Sequence, residues 1–182
     1  GGNVTGVSNI ARDLAARRLA LLKETVPKAK RVAVLFHPDD PITPLQRADI
    51  EPAARTLGVQ LAYWPIRTAE DLEQAFARMH ADAVYRMAGQ ANTFSRRTVE
   101  LTIAKRLPAM LLTAQDVAAG GLMSYWTDHI EHYRRAAAYV DRILKGAKPA
   151  DLPVEQPTRF EMVINMKTAK ALGIKIPQSI LV

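Results

Sequence analysis

The chain has 182 residues, of which 48% are hydrophobic and 24% charged, with a net charge of +7 and no cysteine. That length supports a hydrophobic core without metal or disulfide staples, and the missing cysteine excludes a disulfide framework, a thiolate nucleophile and a Cys-based metal site. No apolar run approaches the roughly 18 residues of a membrane helix.

The excess of 25 Lys and Arg over 18 Asp and Glu would suit a nucleic-acid partner if it were clustered. It comes instead as short pairs on helical stretches, Arg17 with Arg18, Arg96 with Arg97 and Arg134 with Arg135, with acids between them. Solvated helix faces are expected at all three pairs, and no nucleic-acid partner. The opening GGNVTG lacks a Met, a basic region and an apolar leader. It reads as the interior of a longer polypeptide whose signal peptide lies outside this chain.

Residues 8–26 predict a helix, because Ala11, Ala15, Leu19, Leu22 and Val26 recur at spacings of four and three and Pro27 follows. RVAVLF at 31–36 predicts a strand buried on both faces. After the turn-rich HPDDPI, a helix is expected to start with Thr43 as cap, Pro44 at its first position and Gln46 completing a capping box. Pro52 should kink or interrupt it before Gly58.

The alternation then repeats. Residues 59–64 predict a strand, and Thr68 with Asp71 caps a helix through Met79. DAVYRM at 82–87 is a strand, 92–106 a helix, 108–112 a strand and 113–119 a short helix before Gly120 and Gly121. Residues 122–126 form a further strand, and Asp128 with Glu131 should open a helix by a capping box. Its apolar stripe is Ile130, Tyr133, Ala137, Val140 and Leu144, with Gly146 at its end. An extended Pro-rich passage at 148–157 leads to the strand RFEMVIN and a last short helix at 167–172. Strands alternating with helices predict an α/β fold with a mostly parallel sheet covered on both faces.

Chemistry-bearing patterns are sparse. The glycines at 1, 2 and 6 have neither phosphate-loop spacing, and none of the four serines stands in a GxSxG elbow. His129 and His132 on one helix, and His37 near Asp39 and Asp40, are the places where a metal would be sought, though surface histidines near a helix start are the commoner arrangement. Asp39 and Asp40 precede Pro41, as in an ordinary turn. No catalytic residue, cofactor or metal is expected, so the protein is read as not an enzyme.

Ligands of open parallel sheets bind beyond the carboxyl ends of the strands. Those ends carry His37 to Asp40, Pro65 to Arg67, Arg86 to Gln90, Thr113 to Asp116, and Tyr125 with Trp126; the ligand contacts expected among them are His37, Asp39, Arg86, Met87, Thr113, Gln115, Tyr125 and Trp126. An Arg, an aromatic pair and small polar groups suit a modest polar or aromatic molecule; the aromatic pair would equally fill an interlobe core.

Several segments resemble the ABC transporter substrate-binding protein family with the type I periplasmic-binding fold. They are GGNVTGVS, LALLKETVPKAKRVAVLFHP, LPAMLLTAQDVAAGGLMSYW and, most specifically, AAYVDRILKGAKPADLPVEQPTRFEMVIN. The resemblance covers the whole chain. It implies a two-lobed, periplasmic receptor that captures a small solute, an aromatic amino acid or another small organic acid, and delivers it to a membrane permease. In that family three crossovers join the lobes, and GGNVTGVS is similar to the first. The resemblance thus divides the chain into a second lobe at 1–127 entered through a crossover at 1–8, a helix at 128–146 returning to an absent first lobe, and a return segment at 147–182. The stranded helix stripe would then be buried in a homodimer. HPDDPIT and Arg86-Met87 depart from the family, which often has small polar residues at the first place and Pro-Asp at the second. The same fold also serves as the ligand-sensing domain of transcription regulators and membrane sensor kinases, which is the alternative reading.

Overall fold

The run RVAVLF becomes strand β1 (Arg31–Phe36), paired in parallel with β2 (Gln60–Pro65) on one side and β3 (Ala83–Arg86) on the other. In this computed structural model, which describes residues 2–8, 11–89, 93–157 and 159–181, those at 11–13 and 129 by backbone alone, β4 (Ala109–Leu111) and β5 (Met123–Thr127) continue the sheet in parallel. With β6 (Phe160–Ile164) the order is β2-β1-β3-β4-β5-β6. Strand β6 runs against β5, since Asp128 N–H donates to Arg159 C=O at one end and Asn165 N–H to Leu122 C=O at the other.

Seven helices are described, α1 (Ala11–Thr25), α2 (Thr43–Thr56), α3 (Ala69–Arg78), α4 (Ser95–Ala104), α5 (Ala114–Ala118), α6 (His129–Leu144) and α7 (Met166–Leu172). Asn92, expected to begin a helix, lies outside the described residues. The chain divides into two compact units, one of Gly1–Ile10 and Trp126–Glu161, the other of Ala11–Tyr125 and Met162–Val182.

In the larger unit the two-residue period of the strands builds two cores. Val32, Val34, Phe36, Tyr85 and Met87 join Leu19 and Leu22 of α1, Ile50 of α2 and Ala169 of α7. Ala33, Leu35, Val84 and Leu111 face the other way, onto Leu72 and Phe76 of α3 and Val99 of α4. Helices on both faces of a parallel sheet explain why RVAVLF is apolar throughout rather than alternating. Each buried Val, Leu, Ile, Phe or Met among them is worth about 1.5–3 kcal/mol relative to exposure.

The smaller unit is held by backbone pairing and hydroxyls. Val7 bridges Glu155, Glu155 N–H donates to Gly6 C=O at 3.0 Å, and Ser8 N–H donates to Glu155 C=O at 2.7 Å. Tyr139 OH donates to Pro153 C=O at 2.7 Å, and Thr5 Oγ1 to Leu152 C=O at 2.7 Å.

The structure corrects several expectations. Helix α2 has no side-chain cap, and its N-cap is Ile42. Thr43 Oγ1 donates to His37 C=O and the Gln46 amide binds the backbone of Ala88, so both side chains serve tertiary contacts instead of a capping box. The helix also continues through Pro52 to Thr56. Asp128 caps α6 by accepting from the N–H groups of Ile130 and Glu131, whereas the Glu131 carboxylate turns to Arg134 and Arg135. The α6 stripe stands open within this single chain, with Ile130 and Tyr133 72% exposed and Leu144 82%, which leaves the expected homodimer untested. Arg18 reverses the expectation of a solvated face, being fully buried, because its long side chain reaches backbone carbonyls at the strand ends. The capping box of Thr68 and Asp71 forms as expected. Among the described residues, no helix is long and apolar enough to cross a membrane.

Candidate functional site

The strand order reverses between β1 and β3, whose following connections leave for opposite sides of the sheet. Such a reversal opens a crevice beyond the carboxyl ends of the two strands, where ligands of doubly wound sheets sit. Here it is bordered by residues 37–40 after β1 and 86–89 at the end of β3.

These two borders are fastened together. Gln46 Nε2 donates to Ala88 C=O at 3.1 Å and Ala88 N–H donates back to Gln46 Oε1 at 3.1 Å, with Gln46 fully buried. Gly89 adopts φ +110°, and a Cβ there would overlap the buried carboxylate of Asp40. Only glycine combines that backbone with that approach. The Asp40 carboxylate also accepts from Ile42 N–H at 3.0 Å, which fixes the turn after β1.

A buried polar network lies beside this crevice, at the ends of β3 and β4. Arg86 Nη2 contacts Asp116 Oδ2 at 2.5 Å, with side-chain exposures of 1% and 5%. Asp116 also accepts from the hydroxyl of Ser95, the first residue of α4, and from the N–H groups of Leu112 at 3.3 Å and Thr113 at 3.1 Å. Burial alone would raise the Asp116 carboxyl; the Arg86 charge and these hydrogen bonds outweigh it and hold the group below its ordinary value. Arg86 is lowered by burial, which the attraction of Asp116 opposes and the repulsion of Arg18 assists. Neither Nε nor Nη1 of Arg86 has a hydrogen-bond partner among the described residues.

Arg18 closes the network from α1. Its Nη2 donates at 2.9 Å to both the Arg86 and the Leu111 carbonyl, so one guanidinium ties the ends of β3 and β4. Its Nη1 donates to Tyr85 OH at 3.3 Å, and that hydroxyl donates to Ala15 C=O at 3.0 Å.

The sequence-selected residues are distributed unevenly around this framework. His37 is half-buried and its Nδ1 accepts from Asp39 N–H at 3.3 Å. Asp39 is exposed and pairs with Arg67 through two contacts of 2.9 and 3.2 Å, whose hydrogen bonding holds its carboxyl below the ordinary value. Arg86 lies at the crevice, whereas Met87 is fully buried in the core that faces α1 and α2. Thr113 caps α5, its hydroxyl accepting from Asp116 N–H in a capping box, and Gln115 is exposed. Tyr125 packs against the α1–α2 core. Trp126 is 6% exposed and belongs to the other unit. Adjacent strand residues point to opposite faces, so Tyr125 and Trp126 do not form one stacking surface.

Sequence reasoning missed Ser95 and Arg18, and it placed Asp116 at a strand end without selecting it as a contact. The spacing of Thr113 and Asp116 is itself a capping-box signature that would have singled out Asp116. Nothing local marks Arg18. Among the described residues, no three His, Asp or Glu side chains converge as a metal site would require; the side chain of His129 lies outside them. The Ser95 hydroxyl faces an ion-paired carboxylate rather than a free base. What this arrangement offers is fixed donors, acceptors and shape, which is the equipment of binding.

The family described as ABC transporter substrate binding protein matches residues 1–182. A tyrosine-binding protein of Clostridioides difficile (strain R20291) is 24% identical over 179 residues, covering 96% of this chain and 51% of its own. The chain therefore spans about half the length of that curated relative. Among solved structures, the ABC domain in complex with L-Trp from Streptococcus pneumonia is 27% identical with a TM-score of 0.83, covering 100% of this chain and 63% of its own. A conserved domain protein from Vibrio cholerae O1 biovar El Tor superposes with a TM-score of 0.87 at 24% identity, covering 100% and 62%. These likenesses identify the α/β architecture as that of type I periplasmic-binding lobes.

Proposed function

Since the chain belongs to the ABC transporter substrate binding protein family, we propose that it serves as one lobe of an extracytoplasmic receptor that captures an amino acid or related small organic acid for an ABC permease. The observation that carries this reading is the crevice between β1 and β3, with its fastened borders and a buried, charged network beside it, on a chain that matches the family from end to end. The tyrosine-binding relative and the L-Trp complex support an aromatic amino acid as the first class to test.

In this reading the larger unit supplies His37, Arg86, Thr113 and Gln115 to one side of a cleft. Polypeptide outside this chain supplies the other side. Solute touching both would shift an open–closed equilibrium, and the closed form is what the permease reads. The exposed stripe of Ile130, Tyr133, Val140 and Leu144 is assigned to packing against that further polypeptide, or against a second copy when this chain is alone.

A thermal-shift screen of the full-length polypeptide against the twenty amino acids and a set of aromatic acids tests the proposal. A ligand that binds the folded state alone raises the melting temperature with its concentration, by about 2.7 kcal/mol of stabilisation at a hundredfold excess over Kd. No shift with any member of the screen would count against it.

A further inference from the structure

The Arg86 guanidinium holds more donors than the described residues satisfy. Its side chain is 1% exposed, one nitrogen meets Asp116, and Nε and Nη1 are buried without an acceptor among the described residues. Asp116, by contrast, is saturated: besides Arg86 it receives the Ser95 hydroxyl and two backbone N–H groups. The imbalance lies on the donor side. Leaving a buried charged donor unpaired costs more than the usual penalty for a neutral one, and two such nitrogens on one residue are rarely retained without an acceptor from elsewhere.

The position of Arg86 says where that acceptor comes from. It is the last residue of β3, at the reversal of strand order, and the next residues form one border of the crevice. Arg18 and Asp116 hold it from two sides, through its own carbonyl and its own guanidinium. It is thus a buried cation fixed in place beside the crevice.

Resting on the receptor reading above, we infer that the solute carries a carboxylate whose oxygens accept from the Arg86 nitrogens that Asp116 leaves open. Ser95 acts through Asp116 and is a positioning residue. An amine or a neutral amide of the same skeleton lacks the charge that these donors require, so the site selects acids over their uncharged or cationic counterparts. Ordered water would satisfy the same nitrogens without any such selection, and this difference is measurable.

The experiment is calorimetry on the full-length polypeptide with matched probes: L-tyrosine, L-tyrosinamide and tyramine; L-tryptophan, L-tryptophanamide and tryptamine; 3-phenylpropionate and 3-phenylpropanamide. At least one acid is expected to bind roughly ten- to a hundredfold tighter than its amide, the worth of a hydrogen bond to a charged group. R86M, with its fold checked by circular dichroism, should abolish that preference by weakening the acid more than its amide; R86K should retain part of it, keeping the charge without the fork. Equal affinity for acid and amide in the unaltered protein, or a preference that survives in folded R86M, would overturn the inference while sparing the receptor reading. If no probe of any charge binds, the receptor reading fails and this inference falls with it. The acid–amide comparison needs no variant, so a misfolded R86M leaves it decisive.

Discussion

Arg86 and Asp116 meet through a 2.5 Å contact between two nearly buried side chains, and among the described residues only the carboxylate of the two is fully hydrogen-bonded. The pair joins β3 to the first turn of α5, with Ser95 adding the start of α4. A bond of this kind fixes three element ends around one point, which is what a site needs more than it needs stability.

The asymmetry predicts unequal mutants. D116L strips Arg86 of its counter-charge and should cost about 3–5 kcal/mol, the range for breaking a buried ion pair. R86M should cost less, because Asp116 keeps Ser95, Leu112 N–H and Thr113 N–H. The double variant R86M/D116L should recover much of the D116L loss, since two apolar groups replace a pair. Urea denaturation of the three proteins measures the order.

Acid should destabilise the protein from a definable point. Asp116 is held below its ordinary value, and so is Asp82, whose carboxylate accepts from the N–H groups of Arg31 at 2.8 Å and Lys30 at 2.7 Å. A carboxylate depressed in the folded state stabilises it fully above the unfolded value, about 3.9 for Asp. That contribution is lost as pH falls from there through the folded value. Stability is therefore expected to be level with respect to these groups above about pH 5 and to drop below about pH 4. D82N should lower stability at pH 7 by a few tenths to about 1 kcal/mol, given its exposure, and should flatten the acid limb. Denaturation curves at a series of pH values read both effects.

The architecture was legible because buried strands of a covered parallel sheet are written as short apolar runs between turn signals, and RVAVLF, DAVYRM and RFEMVIN each became a strand. The polar network was not, because its bonds join distant positions. Arg18 reaches carbonyls 68 and 93 residues away, and no local spacing announces such a contact. For the same reason Thr43 and Gln46 looked like a cap: the pattern was right for a helix start, but His37 and Ala88 offered the side chains competing partners. Helical periodicity was read correctly for α6, yet periodicity reports an apolar face and not what covers it.

Two glycines should respond differently to alanine. Gly58 has φ +64° with nothing near its missing Cβ, so G58A pays the left-handed backbone alone, about 1–2 kcal/mol. Gly89 has φ +110° and would drive its Cβ into the Asp40 carboxylate. G89A should therefore be the more destabilising of the two and should disturb the loop after β1 as well. Melting temperatures give the ranking, and amide chemical shifts near Asp40 give the second effect.

The α6 stripe predicts self-association of the 182-residue chain. Ile130, Tyr133 and Leu144 stand exposed on one helix. I130K/L144K should shift sedimentation toward a monomer at high concentration while changing folding stability by less than about 0.5 kcal/mol, since neither side chain is buried. Y139F, by contrast, removes the 2.7 Å bond to Pro153 C=O and should cost about 0.5–1.5 kcal/mol.

The central claim is that this chain is one side of a shared cleft for a small solute. Isothermal titration of L-tyrosine and L-tryptophan into the full-length polypeptide and, separately, into the 182-residue chain tests it most directly. Saturable binding of at least one of them is expected for the full-length polypeptide, and binding weaker by at least about a hundredfold, or none, for the chain alone, because half the contacts are lost. Submicromolar binding by the 182-residue chain alone, or none by the full-length polypeptide, would contradict it.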